Sequence, residues 1–205
     1  MPERGITGSA GTSPDGGEAG RFEEVALCHL DLVYRVARKL VGDPHEAEDL
    51  VQETFLRAHR AFGGFELREF GAKPWLLKIL HNAFFSKRGR DAKAPTLLSD
   101  MSFDDFASEL RGDPLPVLAG GDAPVNWEDF DEELKRAVES LAPEYRAVII
   151  LWALESLSYK EIAHVLGCAL GTVMSRLHRA RRQLVEDLGD YATERGFRPK
   201  ADVEK

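Results

Sequence analysis

The sequence predicts an all-α protein of two small helical domains joined by an acidic flexible linker. Apolar residues recur at helical spacing in two stretches, residues 21–92 and 129–192. The segment between them, residues 93–128, is rich in proline, glycine and acidic residues, as linkers are. The first 20 residues are rich in glycine and serine and are expected to form a disordered tail, and residues 193–205 a C-terminal tail.

The first domain is expected to contain three helices. The first spans Arg21–Gly42, and its inward stripe is Ala26, Leu30, Val33, Ala37 and Leu40. Asp43, Pro44 and Glu46 have the spacing of a capping box that opens the second helix. That helix runs to about Ala61, and its stripe is Ala47, Leu50, Val51, Thr54, Phe55 and Ala58. After a loop, Pro74 opens the third helix, with Trp75, Leu76, Ile79, Leu80 and Ala83 inward.

The second domain reads as a series of shorter helices. Phe130, Leu134, Ala137, Val138 and Leu141 mark one helix, and Pro143 starts another that ends near Glu155. Ser158 and Glu161 form a second capping box, and Leu157 is placed to pack on Ile162 as a hydrophobic staple. This short helix ends at Gly167, and a tight turn leads into a last helix whose buried side is Val173, Leu177, Ala180, Leu184 and Leu188.

The last helix is basic although the chain is acidic. The formal net charge is −8, yet Gly171–Leu184 contains four arginines, one histidine and no acid. The acids are concentrated in Leu97–Glu133, which contains eleven acids and one base. A short helix, a tight turn and a basic second helix have the spacing of a helix-turn-helix, whose second helix enters the major groove of DNA. The alternative is a basic surface helix without a ligand.

The polar residues of this helix are the candidates for DNA contact. Residues near its N-terminus are best placed to reach base edges, and the later arginines to hold phosphates. The predicted contacts are Thr172, Ser175, Arg176, Arg179 and Arg182.

Both domains resemble the extracytoplasmic-function (ECF) sigma factors, which are bacterial transcription initiation factors. The stretch LSYKEIAHVLGCALGTVMSRLHRARRQL resembles their region 4, although Ala169 stands where many members have proline. DPHEAEDLVQETFLRAHRAF resembles their region 2.2, and KPWLLKILHNAFFSKRGR their regions 2.3 to 2.4, with a departure at Ser86–Gly89. The resemblance implies a non-enzymatic factor that directs RNA polymerase to promoters through −35 and −10 elements and aids promoter melting.

The resemblance assigns roles to two surfaces of the first domain. The third helix and the loop before it resemble the −10 reader, with the candidates Phe65, Lys78, Asn82, Lys87 and Arg88. Aromatic and cationic side chains suit single-stranded bases and their backbone. The second helix resembles the face that binds the clamp helices of the polymerase β′ subunit, with the candidates Glu48, Asp49, Gln52, Glu53 and Leu56. Without the resemblance, a solvated acidic surface would be the better interpretation of that face.

The resemblance also implies partners. These are the RNA polymerase core (β′ clamp helices and β flap), promoter DNA and an anti-sigma factor. The pattern GTVMSRLHRARRQL…DYATERGF is similar to the thiol-oxidative-stress branch, whose members are held by a zinc-containing anti-sigma protein. The equivalent of the acidic linker threads through the polymerase in that family.

Two other functions remain open, and several classes are disfavoured. An autonomous regulator would bind duplex DNA tightly without polymerase, and a sigma mimic that titrates an anti-sigma factor should lack a working DNA face. The scattered histidines form neither an HExxH pattern nor a nucleophile–base set, so we expect no enzyme, no cofactor and no metal. Apolar runs are too short to span a bilayer, and the two cysteines form no CxxC, which favours a cytoplasmic protein.

Overall fold

The computed structural model describes residues 15–64, 70–91, 127 and 130–194 of the chain. Within these ranges every regular element is helical, which confirms the predicted fold class. The predicted linker other than Trp127, residues 1–14 of the predicted N-terminal tail and residues 195–205 lie outside the described residues.

The first domain is built from helices that lie against one another. They are α1 (Asp15–Ala26), a 3-10 turn (Leu27–His29), α2 (Leu30–Val41), α3 (Pro44–Ala61), a 3-10 turn (Phe62–Gly64) and α4 (Ala72–Asp91). Edge-on ring contacts between Phe22 and both His59 and Phe62, with centroids 5.1 and 5.2 Å apart, join α1 to the end of α3.

The single helix predicted from Arg21 is wrong, because the structure has two helices separated by a 3-10 turn. α1 already begins at Asp15, so the end of the predicted tail is helical. A 3-10 segment has three residues per turn rather than 3.6, and it therefore shifts the phase of the apolar stripe. Leu30, predicted to be buried, is consequently 44% exposed, whereas Val33 and Ala37 are buried as predicted.

The predicted start of α3 is confirmed. The Asp43 side chain accepts a hydrogen bond of 2.9 Å from the backbone N–H of Glu46, and Pro44 occupies the first turn. This is the half of the predicted capping box that the structure records. Ala47, Leu50, Val51, Thr54 and Ala58 are buried as predicted, and Phe55 is half-buried. The buried Thr54 hydroxyl donates to the Leu50 carbonyl over 2.7 Å, so its polar group is satisfied.

α4 begins at Ala72, two residues before the predicted start at Pro74. A proline is tolerated there because the first-turn N–H groups lack helical partners. Leu76, Leu80 and Ala83 are buried as predicted, and Trp75 and Ile79 are half-buried. Leu77 is also buried, although the stripe that predicted this helix did not include it.

The second domain contains the predicted helices and one more. They are α5 (Glu132–Ser140), α6 (Pro143–Ile149) continued by a π-helical turn (Ile150–Leu154), α7 (Tyr159–Leu166), α8 (Leu170–Asp187) and α9 (Gly189–Glu194). The short α9 was not predicted, and it extends the domain two residues beyond the expected boundary.

The helix-turn-helix of α7 and α8 forms as the sequence predicts. The Ser158 side chain caps the Glu161 N–H, and the Glu161 carboxylate accepts from the Ser158 N–H over 2.8 Å, which completes the capping box. Leu157 and Ile162 are both buried, in agreement with a staple. Gly167 ends α7 at φ +62°, a conformation that glycine adopts without strain. In α8, Val173, Leu177 and Ala180 are buried and Leu184 is half-buried, and Leu188, which follows the helix, is also half-buried.

The two domains share one apolar core. α4 packs against α7, and α2 packs against α6 and the π-helical turn. Leu77 and Leu80 of the first domain meet Leu151 and Val165 of the second around a cavity of about 10 Å³. The domains are therefore in direct contact, which the division into two periodic stretches did not predict.

Candidate nucleic-acid interface

The N-terminal part of α8 carries the residues predicted to reach bases. Thr172, Ser175 and Arg176 are half-buried, whereas Val173 between them is buried. The Ser175 hydroxyl donates to the Thr172 carbonyl over 3.1 Å, and its oxygen keeps the capacity to accept a hydrogen bond. This part of the helix therefore offers hydroxyl groups and one guanidinium in a single patch.

The later arginines of α8 differ in their exposure and in their contacts. Arg182 is exposed, and its Nε donates to the Glu186 carboxylate over 3.0 Å. Such exposed pairs contribute about 0–1 kcal/mol, so a phosphate can compete for the guanidinium. Arg179 is half-buried. Arg181, which was not predicted to contact DNA, places its guanidinium 5.6 Å from the centroid of the Trp152 ring.

α4 presents most of the residues predicted to read the −10 element. Asn82, Lys87 and Arg88 are exposed, and Lys78 is half-buried. The Arg88 guanidinium lies 5.0 Å from the Phe84 ring centroid, so that cation is placed beside an aromatic face. The predicted Phe65 lies outside the described residues.

His81 is a residue that the sequence reasoning missed. It lines the cavity between the domains, and its Nδ1 is buried without a hydrogen-bond partner in the structure. Burial lowers the pKa of His81 to about 4, a hydrogen bond with Asn82 opposes the fall, and the charge of Arg176 adds to it. α4 packs against α7, the helix that directly precedes α8, so the candidate −35 and −10 surfaces lie on neighbouring parts of the fold. The spacing of apolar residues along one helix does not predict which other helix lies beside it.

α3 carries the third predicted surface. Glu48, Asp49, Gln52 and Leu56 are exposed, and Glu53 is partly exposed. Leu56 is 53% exposed and adds an apolar side chain to this polar face, which gives the face the mixed character of a protein interface. The Arg57 Nε donates to the Glu53 carboxylate over 2.6 Å, so Glu53 is less available to a partner than Asp49.

The described residues offer neither a metal-binding cluster nor a membrane-spanning helix. Across residues 15–64, 70–91, 127 and 130–194, histidine, cysteine and acidic side chains form no group of three or more that could hold a metal ion. In the same ranges, none of the helices has the length and apolar character required to cross a membrane.

Comparison with protein families identifies both domains. The family model described as Sigma-70 region 2 matches residues 26–93. The model described as Sigma-70, region 4 matches residues 131–184. The ECF RNA polymerase sigma factor SigE of Mycolicibacterium smegmatis is 36% identical over 190 residues, which cover 92% of this chain and 70% of the relative. The ECF RNA polymerase sigma factor SigW of Bacillus subtilis is 30% identical over 181 residues, covering 85% and 92% respectively.

Two solved structures have a similar fold. The sigma factor RpoE of Bartonella quintana, in complex with the anti-sigma factor NepR, has a TM-score of 0.59 and 31% identity, covering 82% of this chain and 97% of that one. CnrH, in complex with the cytosolic domain of CnrY, has a TM-score of 0.55 and 25% identity, covering 85% and 92%.

Proposed function

Because this chain belongs to the ECF sigma factors of the sigma-70 family, and is therefore a transcription initiation factor, we propose that its two domains divide promoter recognition between them. α8 reads the −35 element in duplex DNA, and α4 binds the −10 element after the strands separate. α3 docks on the β′ clamp helices of the RNA polymerase core, and the second domain meets the β flap. RNA synthesis itself belongs to the polymerase.

The observation that carries this proposal is the pairing of two chemically different surfaces in one chain. α8 offers arginines and hydroxyls on a helix that follows a tight turn, the form that enters a major groove. α4 offers an exposed amide at Asn82 and exposed cations at Lys87 and Arg88, which suit an unpaired strand. A regulator that binds duplex DNA alone has no use for the second surface.

Reconstituted transcription tests the proposal directly. The chain is added to the bacterial core polymerase of its own source with fragmented genomic DNA, and the 5′ ends of the transcripts are mapped. We expect defined start sites downstream of a shared pair of motifs, which core polymerase alone does not produce. Tight duplex binding without polymerase would instead favour an autonomous regulator. Random start sites would contradict the proposal.

Regulation by an anti-sigma factor, in a stress response in the cytoplasm, is part of the proposal. It is supported by the two similar structures, since RpoE was solved with the anti-sigma factor NepR and CnrH with CnrY. The similarity to the thiol-oxidative-stress branch favours a zinc-binding partner with an HxxxCxxC motif. Co-purification of the chain with the product of such a neighbouring gene, with and without oxidant, tests this. A partner that binds equally with and without oxidant would exclude oxidation as the signal that releases the chain.

A further inference from the structure

We propose that the segment that follows α9 docks in a groove of the second domain, through the basic stretch RGFRPK of residues 195–200. The groove lies between α5, the end of α8 and α9, and its volume is about 500 Å³. This contact goes beyond the proposed function, because none of the residues that line the groove was assigned to DNA or to the β′ clamp helices. It gives the chain an internal interaction surface with one defined occupant.

The groove follows α5, and a hydrogen bond joins its walls at each end of that helix. At the start of α5, the Tyr191 hydroxyl of α9 donates to the carboxylate of the N-cap Asp131 over 2.5 Å. At the end of α5, the Ser140 hydroxyl donates to the Asp187 carboxylate of α8 over 3.4 Å. The walls of the groove are therefore held by side chains that lie about 50 to 60 positions apart in the sequence.

The groove has more acidic than basic side chains. Three exposed acids, Glu133, Asp187 and Asp190, line it together with one base, Arg136. Residues 195–200 contain two arginines, one lysine and no acid. Opposite charges at the surface attract each other over about 10 Å at moderate ionic strength. The charge of the segment therefore complements the charge of the groove.

Apolar side chains also line the groove. Ala137 is buried there, and Leu188 and Tyr191 are half-buried. The basic stretch contains one large apolar side chain, Phe197, with an arginine on each side of it in the sequence. An aromatic ring that covers apolar side chains removes both surfaces from water, which favours docking. We expect Phe197 to lie against Ala137 and Leu188, with the flanking cations near the acids.

The segment starts close to the groove and is long enough to follow it. α9 ends at Glu194, one helical turn after Tyr191. A glycine two positions after the last residue of a helix commonly reverses the chain, and Gly196 has this position. Residues 197–200 can then span about 13 Å, which matches the length of the nine-residue α5. A segment tethered so closely has an effective concentration of about millimolar at the groove, so a weak site is sufficient.

Docking would stabilise the end of the helix that carries the predicted −35 contacts. Asp187 is the last residue of α8, and Leu188 follows it directly. Helix ends open locally at a small cost in free energy when few contacts hold them. A segment docked against Asp187, Leu188 and α5 therefore slows the local opening of α9 and of the last turn of α8.

Paramagnetic broadening in the full-length chain locates the segment. In a background with Cys28→Ser and Cys168→Ala, Ala201→Cys carries a nitroxide label, and amide signals are compared with the label oxidised and reduced. A docked segment places the label near the end of α5, so the amide signal of Ser140 should lose at least half of its intensity. A label that broadens the Tyr191 signal and spares Ser140 would overturn the proposal.

Charge reversal tests the groove as the site. Glu133→Lys with Asp190→Lys should reduce the broadening of the Ser140 signal at least twofold. Glu23→Lys with Glu24→Lys, at exposed positions of α1, makes the same change in net charge and should leave the broadening unchanged. Equal broadening in the parent and in both variants would mean that the tether alone brings the label close, and it would exclude the groove.

Substitutions within the segment test the occupant, and they keep the proposal testable if the groove variant does not fold. Phe197→Ser should reduce the broadening of Ser140 at least twofold and speed amide hydrogen exchange at Leu188 at least threefold. Val203→Ser, which removes an apolar side chain beyond the basic stretch, should do neither. Unchanged broadening and exchange in Phe197→Ser would refute docking.

Duplex DNA is the competing partner for a basic segment, since phosphates attract arginine and lysine side chains. The label on Ala201→Cys distinguishes the two partners. Docking predicts that Ser140 is broadened in the free chain, before any DNA is added. A Ser140 signal that is not broadened, together with signals of residues 195–200 that shift only on addition of duplex DNA, would assign the stretch to phosphates and overturn the proposal.

Discussion

Lys73 in α4 donates a hydrogen bond of 2.8 Å to the backbone carbonyl of Glu155, a residue 82 positions further along the chain and in the other domain. The same ammonium group lies 3.8 Å from the Glu155 carboxylate, whose second cation is Lys39. Two lysines thus surround one buried acid at the contact between the domains. The charge balance at this point should therefore affect the stability of the chain.

Replacing the buried acid should not destabilise the protein at neutral pH. Burial raises the pKa of Glu155, and the charges of Lys39, Lys73 and Arg35 only partly oppose the rise. A carboxyl with a raised native pKa contributes stability that is complete below its ordinary pKa and is lost as the pH rises through the raised value. Glu155→Gln should therefore equal or exceed the wild type in free energy of unfolding at pH 7, and the difference should shrink toward about pH 4. Urea unfolding at a series of pH values measures it, and a clear loss of stability at pH 7 would contradict the argument.

His81 should make the stability of the folded protein sensitive to acid. Its native pKa is lowered from 6.5 to about 4, mainly by burial. A lowered histidine pKa contributes stability that is complete above pH 6.5 and is lost as the pH falls toward 4. The loss should reach about 2–3 kcal/mol at pH 4.5. His81→Leu should lack this loss of stability in acid. The control His45→Leu, at a side chain that is 93% exposed, should lose stability in acid as the wild type does. Equal pH profiles for the wild type and His81→Leu would show that His81 is not buried in solution.

Two arginines of α8 should differ in what they recognise. Arg176 lies in the second turn, within reach of a base edge, and Arg176→Ala should relax the preference at one −35 position by about 1–3 kcal/mol. Arg182, already paired with Glu186, should meet a phosphate. Arg182→Ala should weaken all sequences alike and reduce the salt dependence by about one ion. Competition against a panel of −35 variants, with polymerase present, separates the two effects. If both variants keep full promoter use, α8 is not the −35 reader.

Asn82 and the cations near it on α4 should also differ in what they recognise. Asn82→Ala removes an exposed amide and should impair recognition of one non-template base, whereas Lys87→Ala should reduce strand opening on all sequences. Permanganate footprinting on duplex and pre-melted promoters distinguishes recognition from melting. Normal opening by both variants would mean that this face of α4 is wrongly assigned.

Charge reversal on α3 should weaken polymerase binding. Asp49→Lys with Glu53→Lys should lower retention of core polymerase in a pull-down, and Asp49 should dominate because Glu53 is tied to Arg57. Glu23→Lys with Glu24→Lys, at exposed positions of α1, is the matched control. A folded Asp49 and Glu53 variant that retains core polymerase like the wild type would exclude this surface.

By itself the sequence determined the elements whose causes are local. Asp43 with Pro44, and Ser158 with Glu161, marked helix starts correctly because a cap is a contact between residues three positions apart. The basic character of α8 was predictable because the number of charged residues in a segment is read directly from the sequence. The resemblance to the sigma factors followed from whole motifs in both domains, which the family models also match.

Only the tertiary structure decided how the domains meet. Leu77 is buried by residues of the second domain, so the periodicity of α4 alone could not include it. Leu30 became exposed because a 3-10 turn changed the helical phase, and no pattern of apolar residues reports such a change in advance. The environments of His81 and Glu155 depend on side chains far away in the chain. Burial and pKa follow from all the atoms around a group, and most of those atoms belong to residues that sequence spacing does not relate to it.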